Sequence, residues 1–255
     1  MAKSDIEDKP VDAKIRLHVD GDLKARASLA LGPDQAHYLQ HVMRCRVGEA
    51  ILLFNGRDGE WQGSVSSFGK GRCAVEVEKQ LAAQGPEPDI WYLFAPIKRA
   101  RLDYMMEKAS ELGAAKIIPV LTRRTMVARV NIERLQANAT EAAEQCGRLS
   151  VPKVEPEVPL ARLLDGWDKG RKLIFCDEGG GVEAMAKALS AYAGKPSVPW
   201  ALLIGPEGGF DDQERALLRS RDFVIPVSLG PRILRADTAA MAALTVWQMI
   251  LGDWA

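Results

Sequence analysis

Trp200-Ala-Leu-Leu-Ile204 runs directly into Gly205-Pro-Glu-Gly-Gly-Phe210, and a second apolar run, Phe223–Val227, soon leads into Leu229-Gly-Pro-Arg-Ile-Leu-Arg-Ala-Asp-Thr-Ala239. Each run ends in a turn crowded with glycine and proline. Glycine accepts positive φ and leaves no side chain between backbone and ligand, so such turns can press amides and carbonyls against a small molecule. The pairing predicts one ligand pocket built from two loops.

These runs belong to an alternating series. Strands are expected at Ile90–Ala95, Lys116–Leu121, Lys172–Cys176, Trp200–Ile204 and Phe223–Val227, and helices at Arg101–Leu112, Asn131–Arg148, Val182–Tyr192, Asp211–Arg219 and Thr238–Leu251. Such alternation predicts an α/β fold, a mostly parallel sheet covered on both faces. Ligands bind beyond the carboxyl ends of such strands, where both glycine turns fall. The closing helix, Thr238–Leu251, has almost no polar face, so it is expected to be buried on all sides, partly by a two-fold partner.

The earlier part of the chain has a different period. Short strands are expected at Ile15–Val19, Ala50–Phe54, Glu60–Val65 and Arg72–Glu78, with hairpin turns at Asn55-Gly56 and Asp58-Gly59. One helix, from about Pro33 to Arg44, interrupts them with proline in its first turn. This predicts a small β-barrel over 15–82, preceded by a polar, disordered tail at 1–14. The breaker-rich segment 83–88 is a linker, and the α/β domain occupies 89–255.

Composition narrows the function classes. With 255 residues, 47% of them hydrophobic, the chain can bury a substantial core. No apolar run approaches a membrane span and the N-terminal segment is no targeting block, so a cytoplasmic protein without a membrane partner is expected. Cys45, Cys73, Cys146 and Cys176 form no Cys-x-x-Cys pair and read as reduced thiols. The 34 basic and 34 acidic residues cancel, so a nucleic-acid partner would be met by local patches. Lys98-Arg99-Ala-Arg101, Arg123-Arg124, Arg129, Arg134 and Arg148 supply candidates.

Missing motifs matter as much. No dinucleotide or nucleoside-triphosphate fingerprint is present, and no Ser or Cys elbow stands beside a His. Gly179-Gly-Gly181 reads as a flexible turn. His37 and His41 stand one helical turn apart, but no third ligand accompanies them, so no metal is expected.

Four blocks in order then carry a resemblance: Lys108-Ala-Ser-Glu-Leu-Gly113, Glu141-Ala-Ala-Glu-Gln-Cys-Gly-Arg148, Gly205-Pro-Glu-Gly-Gly-Phe210 and Ser228-Leu-Gly-Pro-Arg-Ile-Leu-Arg-Ala-Asp-Thr-Ala239. Together they resemble the ribosomal RNA small-subunit methyltransferase E family of the SPOUT superfamily. His37-Tyr-Leu, Val42-Met-Arg44, Val47-Gly48 and Asn55-Gly56 resemble its N-terminal barrel. The resemblance implies a PUA-like RNA-binding β-barrel followed by a trefoil-knotted α/β methyltransferase domain, an exception to the rule that chains are unknotted. It also implies a homodimer that transfers a methyl group from S-adenosyl-L-methionine to ring nitrogen 3 of a uridine in 16S rRNA of the small ribosomal subunit.

Carried onto this chain, the resemblance implies a donor pocket of Leu203, Ile204, Gly205, Glu207, Gly208 and Gly209 from the first loop. The second loop supplies Leu229, Gly230, Ile233, Leu234, Thr238 and Ala239. Arg235 is expected to stabilise charge on the uracil oxygens, and Glu141 or water is the candidate base. RNA contacts are expected from His37, Arg44, Arg46, Lys98, Arg99, Arg123, Gln145 and Arg148. Asp237 stands where the family usually has Glu, one methylene longer, and suits the start of a helix. A ribose 2′-O-methyltransferase, or a non-catalytic RNA-binding assembly factor, are the alternatives.

Overall fold

The computed structural model describes residues 13–127, 129–195 and 198–255, apart from the side chains of Arg99 and Ala100. Most of the expected tail therefore lies outside the described residues. The chain divides into two units: one runs to Gly85 and includes Gly147–Ser150, and the other comprises Pro86–Cys146 and Val151–Ala255.

In the first unit, strands β1 (Arg16–His18), β2 (Ser28–Leu31), β3 (Ala50–Phe54), β4 (Glu60–Gly69) and β5 (Arg72–Ala82) form a sheet in the order β1-β3-β4-β5-β2. The β4–β5 ladder carries three register shifts, between Glu60/Trp61, Gln62/Gly63 and Val65/Ser67. Such irregularities bend and twist a strand. Leu17 and Leu31, on the two edge strands, share one core with Ile51, Leu53, Val65 and Val75. Helix α1 (Pro33–His37) passes into a π turn at Tyr38–Val42, burying Ala36 and Leu39. The expected helix thus stops before Arg44, which has a left-handed φ of 55°. Strand β2 escapes the sequence reading because Leu31 is its only fully buried residue.

The second unit contains β6 (Ile90–Phe94), α2 (Arg99–Glu111), β7 (Lys116–Leu121), α3 (Ile132–Cys146), β8 (Lys153–Val154), β9 (Val158–Pro159) and α4 (Leu160–Asp165). It continues with β10 (Lys172–Cys176), β11 (Glu183–Ala184), α5 (Met185–Ser190), β12 (Trp200–Ile204), α6 (Asp212–Arg219), β13 (Val224–Ser228) and α7 (Ala236–Leu251). The strands lie in the order β11-β13-β10-β12-β6-β7-β8, with β9 beside β7, and every pairing is parallel. A parallel sheet needs cover on both faces, which explains the apolar strands.

Side-chain alternation divides that sheet between two cores. Tyr92, Phe94, Ile174, Leu202 and Ile204 pack with residues of α2, α3, α5 and α7. Leu93, Phe175, Ala201 and Leu203 pack with Leu160, Leu164, Phe210 and Leu218 on the other face. At the amino ends of the strands, buried Arg171 pairs with Asp89 at 2.6 Å and stacks 3.7 Å over the Trp91 ring. Burying a guanidinium this deeply is tolerable because the carboxylate and the Trp200 carbonyl accept from it.

Helix α7 corrects one expectation. Ala240, Ala243, Leu244 and Trp247 are buried in this chain's own core, so that face needs no partner to cover it. Gln248, 1% exposed, donates to the Leu112 carbonyl and accepts from the Asp253 N–H. Met249 is 62% exposed, so the helix is not covered all round within the chain.

Candidate active site

Strand order fixes what meets at the carboxyl ends. Because β10 lies between β12 and β13, the loop after it falls between the two glycine turns picked out in the sequence. The three loops enclose a cavity of about 700 Å3. Ile204, Gly205, Pro206, Glu207 and Gly209 line one side, and Ser228 through Ala236 with Ala239 line another. Cys176, Asp177, Glu178 and Gly180 form the third wall, and Arg101 reaches in from α2.

An acid–base network holds these walls together. The fully buried carboxylate of Asp177 accepts from Arg215 Nε at 3.0 Å and from Arg219 Nε at 2.9 Å, and also from the Gly179 N–H. Glu178 Oε1 accepts from Arg215 at 2.9 Å and from the Phe210 N–H at 3.2 Å, linking the loop after β10 to the loop after β12. Both arginines lie on α6. That helix starts in a capping box, with Asp211 accepting the Glu214 N–H and Glu214 accepting the Asp211 N–H. The Glu214 N–H, and after it the charge of Arg123, hold the Asp211 carboxyl below its usual range.

The loop containing Gly179-Gly-Gly181 is therefore anchored at its base and forms a wall of the cavity, not a free turn. Replacing Asp177 by Ala strands two guanidiniums around a buried gap. Breaking a buried pair costs about 3–5 kcal/mol; because both arginines keep some solvent contact, about 3 kcal/mol is expected here. Thermal unfolding should then show a Tm roughly 6–12 °C lower. An unchanged Tm would mean that the network does not brace the fold.

The cavity has a particular charge pattern. Arg101 stands 3.3 Å from Glu207 and 3.9 Å from Asp237. The side chains of Arg232 and Arg235 are exposed at the rim and make no hydrogen bond or ion pair among the described residues. The Cys176 thiol is pushed far above its ordinary range by burial and by the nearby Glu178 charge, so it stays protonated. A protonated thiol is no nucleophile.

Most donor-pocket residues expected from the sequence line this cavity: Ile204, Gly205, Glu207, Gly209, Leu229, Gly230, Ile233, Leu234 and Ala239, with Arg235 beside them. Three do not. Leu203 points to the opposite face of the sheet, into the core with Phe210, because strand side chains alternate. Gly208 turns outward, where its carbonyl accepts from Arg124 and an added Cβ would meet only Arg124. Thr238 is exposed on the first turn of α7, its N–H donated to Asp237. Asp237 thus serves the helix start, although Arg235 is the cap residue.

None of the other expected contacts lines the cavity. Glu141 is exposed on α3, whose buried face is Leu135, Ala139, Ala142 and Ala143, and it is not among the cavity residues. Gln145 is exposed on the same helix, but Arg148 does not share that face. Gly147, at φ 82°, ends the helix after Cys146, and Arg148 joins the first unit, where it donates to Ser150. Arg123 is exposed but committed to Asp211 at 3.0 Å. His37, Arg44, Arg46 and Lys98 are exposed; the side chain of Arg99 lies outside the described residues. The His37 and His41 rings stand 4.9 Å apart, and among the described residues no group of three metal-ligating side chains exists. No helix among them is long and apolar enough to cross a membrane.

The sequence places Arg101 in a basic patch for nucleic acid and does not pick out Asp177 and Glu178 as cavity residues. Asp177-Glu178 follows an apolar strand just as the glycine turns do, and that position was the available signal.

Comparison with known proteins agrees with this architecture. Residues 85–248 match the RNA methyltransferase domain family, and residues 31–78 match the RNA methyltransferase PUA domain family. The ribosomal RNA small subunit methyltransferase E of Rickettsia conorii is 32% identical over 230 residues, 90% of this chain and 93% of that protein. The Neisseria gonorrhoeae enzyme of the same name, solved bound to S-adenosyl methionine, superposes with a TM-score of 0.83 at 27% identity, covering 94% of this chain and 99% of that one. A Legionella pneumophila methyltransferase solved with bound SAM gives 0.81 at 31% identity, covering 92% and 96%. With this identity sustained across both units, the chain belongs to the ribosomal RNA small subunit methyltransferase E family.

Proposed function

We propose that this protein methylates ring nitrogen 3 of a uridine in 16S rRNA of the small ribosomal subunit, with S-adenosyl-L-methionine as donor. The observation that carries the reading is the three-loop cavity, which joins carboxylates able to face a cation to arginine side chains, without a partner among the described residues, able to face an anion. Its volume suits a cofactor of this size. Gly180 and Gly230 line it with bare backbone, since a Cβ on either would meet no protein atom within 4 Å.

When bound, S-adenosylmethionine supplies a methyl group already activated by positively charged sulfur. The protein must then align the acceptor and exclude water. Ile204, Gly205, Gly209, Leu229, Gly230, Ile233, Leu234 and Ala239 would hold the donor by backbone contact and apolar walls, with Glu207 facing its charge. Nitrogen 3 lies on the pairing edge of the base, so the uridine must be unpaired or flipped out. As nitrogen 3 gives up its proton to water, negative charge builds on the flanking carbonyl oxygens, and it is discharged as the methyl arrives. Arg235, whose side chain has no partner among the described residues, is the group to stabilise it. Glu141 is not retained as a base.

His37, Arg44, Arg46, Lys98 and Gln145 remain the proposed RNA contacts, whereas Arg123 and Arg148 have structural partners. Arg44→Gly is the cleanest probe, since it removes a charge and relieves a left-handed backbone. It should weaken RNA binding, flatten its salt dependence by one phosphate contact, about 0.7 in log–log slope, and leave donor affinity and Tm unreduced. An unaltered salt slope would remove Arg44 from the RNA contacts.

A cytoplasmic homodimer is part of the same reading, its assembly supported by the exposed apolar side chain of Met249 on α7 and tested by light scattering at twice the chain mass. The insertion of β12 between β6 and β10, with β13 outside β10, supports a threaded C-terminal segment. Transfer of a labelled methyl to naked 16S rRNA and to isolated small subunits, with the product mapped by mass spectrometry, tests the function. A methyl on the ribose, or none, would overturn it.

A further inference from the structure

Arg101 reaches both donor loops from outside them. It rises from the first turn of α2, 3.3 Å from Glu207 in the loop after β12 and 3.9 Å from Asp237 in the first turn of α7. The three side chains are partly open to solvent, at 38%, 46% and 20% exposure for Arg101, Glu207 and Asp237. Neither contact is a tight bidentate fork of the kind that binds Arg strongly. One guanidinium is thus shared between Glu207, which lines the cavity with Arg101, and Asp237, which stands just behind the lining, in an arrangement that another cation can replace.

We propose that Arg101 is an internal counter-cation: a positively charged donor competes with it for Glu207 and Asp237, so the site distinguishes the charged donor from its neutral product. This rests on the donor reading above. Loss of the methyl converts a charged sulfonium into a neutral thioether. The spent product can no longer compete, and Arg101 returns to the carboxylates as the product leaves. Exposed charge contacts of this kind change an equilibrium by about two- to fivefold. That scale is enough to set a preference without trapping either species.

The readout is the ratio of two affinities, measured by calorimetry on the full chain. S-adenosylmethionine carries the charge and S-adenosylhomocysteine lacks it, while sinefungin carries an ammonium at the same place. Glu207→Gln keeps size and hydrogen bonding but removes the charge. It should weaken S-adenosylmethionine and sinefungin about fivefold while leaving S-adenosylhomocysteine within about twofold. Asp237→Asn, which still accepts the Thr238 N–H, should act in the same direction. Arg101→Met removes the competitor and should move the ratio the opposite way, about twofold or more in favour of the charged ligands. A variant that merely loosens the pocket would weaken all three ligands together and leave the ratio alone, which overturns the proposal. If the wild-type chain binds none of the three, the donor reading itself falls, and this inference with it.

Discussion

Gly209→Val should lose donor binding by about a hundredfold or more while far-UV circular dichroism stays close to wild type. Gly209 has φ 67°, a conformation that costs a residue with a side chain about 1–2 kcal/mol. A Cβ there would stand 2.4 Å from Glu178 Oε1. That oxygen already accepts from the Phe210 N–H and from Arg215, so pushing it away loosens the tie between two walls of the cavity. A hydrogen bond to a charged group contributes about 1.5–3 kcal/mol, and strain plus this loss reach the range of a hundredfold. The strand before the loop is buried along its whole length and α6 has its own capping box, so the fold should survive. Gly208→Ala is the control. Its Cβ would meet only Arg124, at an ordinary 3.4 Å, and affinity should stay within about twofold. Calorimetry showing full affinity for a folded Gly209→Val protein would reject this loop as the donor site.

Arg235→Ala should lower kcat by about a hundredfold on saturating RNA, the scale of removing one donor to a developing oxyanion, while donor affinity changes little. The side chain lies at the cavity rim and makes no hydrogen bond or ion pair among the described residues, so its removal orphans no group. Arg235 caps α7 through its backbone carbonyl, which accepts the Ala239 N–H; there is no side-chain cap to lose. Removing a cation from a helix start is also mildly favourable. Lower activity with unchanged Tm would therefore report chemistry. Arg235→Lys should recover only part of the rate, because a single ammonium cannot present two parallel N–H donors to the uracil edge. A variant with full turnover would sink the assignment.

Different features were legible for different reasons. Lys116–Leu121, Lys172–Cys176 and Trp200–Ile204 match the strands, because a strand buried on both faces must be an unbroken apolar run. The start of α6 was visible in Asp211, and the break after Glu111 in Gly113. The short elements β8, β9, β11 and α4 were not, since two to six residues are too few to display a period. Leu203 was misread because the sequence does not say which face of a strand meets a ligand. The helix expected to run to Arg148 stops at Cys146 because Gly147, with its left-handed backbone, ends it.

By itself, the sequence determined the two-part organisation, the alternating α/β pattern and two of the three cavity walls, all set by local periodicity and by glycine and proline in turns. Tertiary structure alone decided the third wall. Asp177, Glu178 and Gly180 join the site only because β10 lies between β12 and β13, and neighbours in a sheet need not be neighbours in the chain. The same holds for Arg101, which is 106 residues from Glu207 along the chain and 3.3 Å from it in space. Spacing along a chain reports what a helix or strand does with its own side chains; which charges from distant segments face one another depends on how the sheet is ordered and which helix covers it.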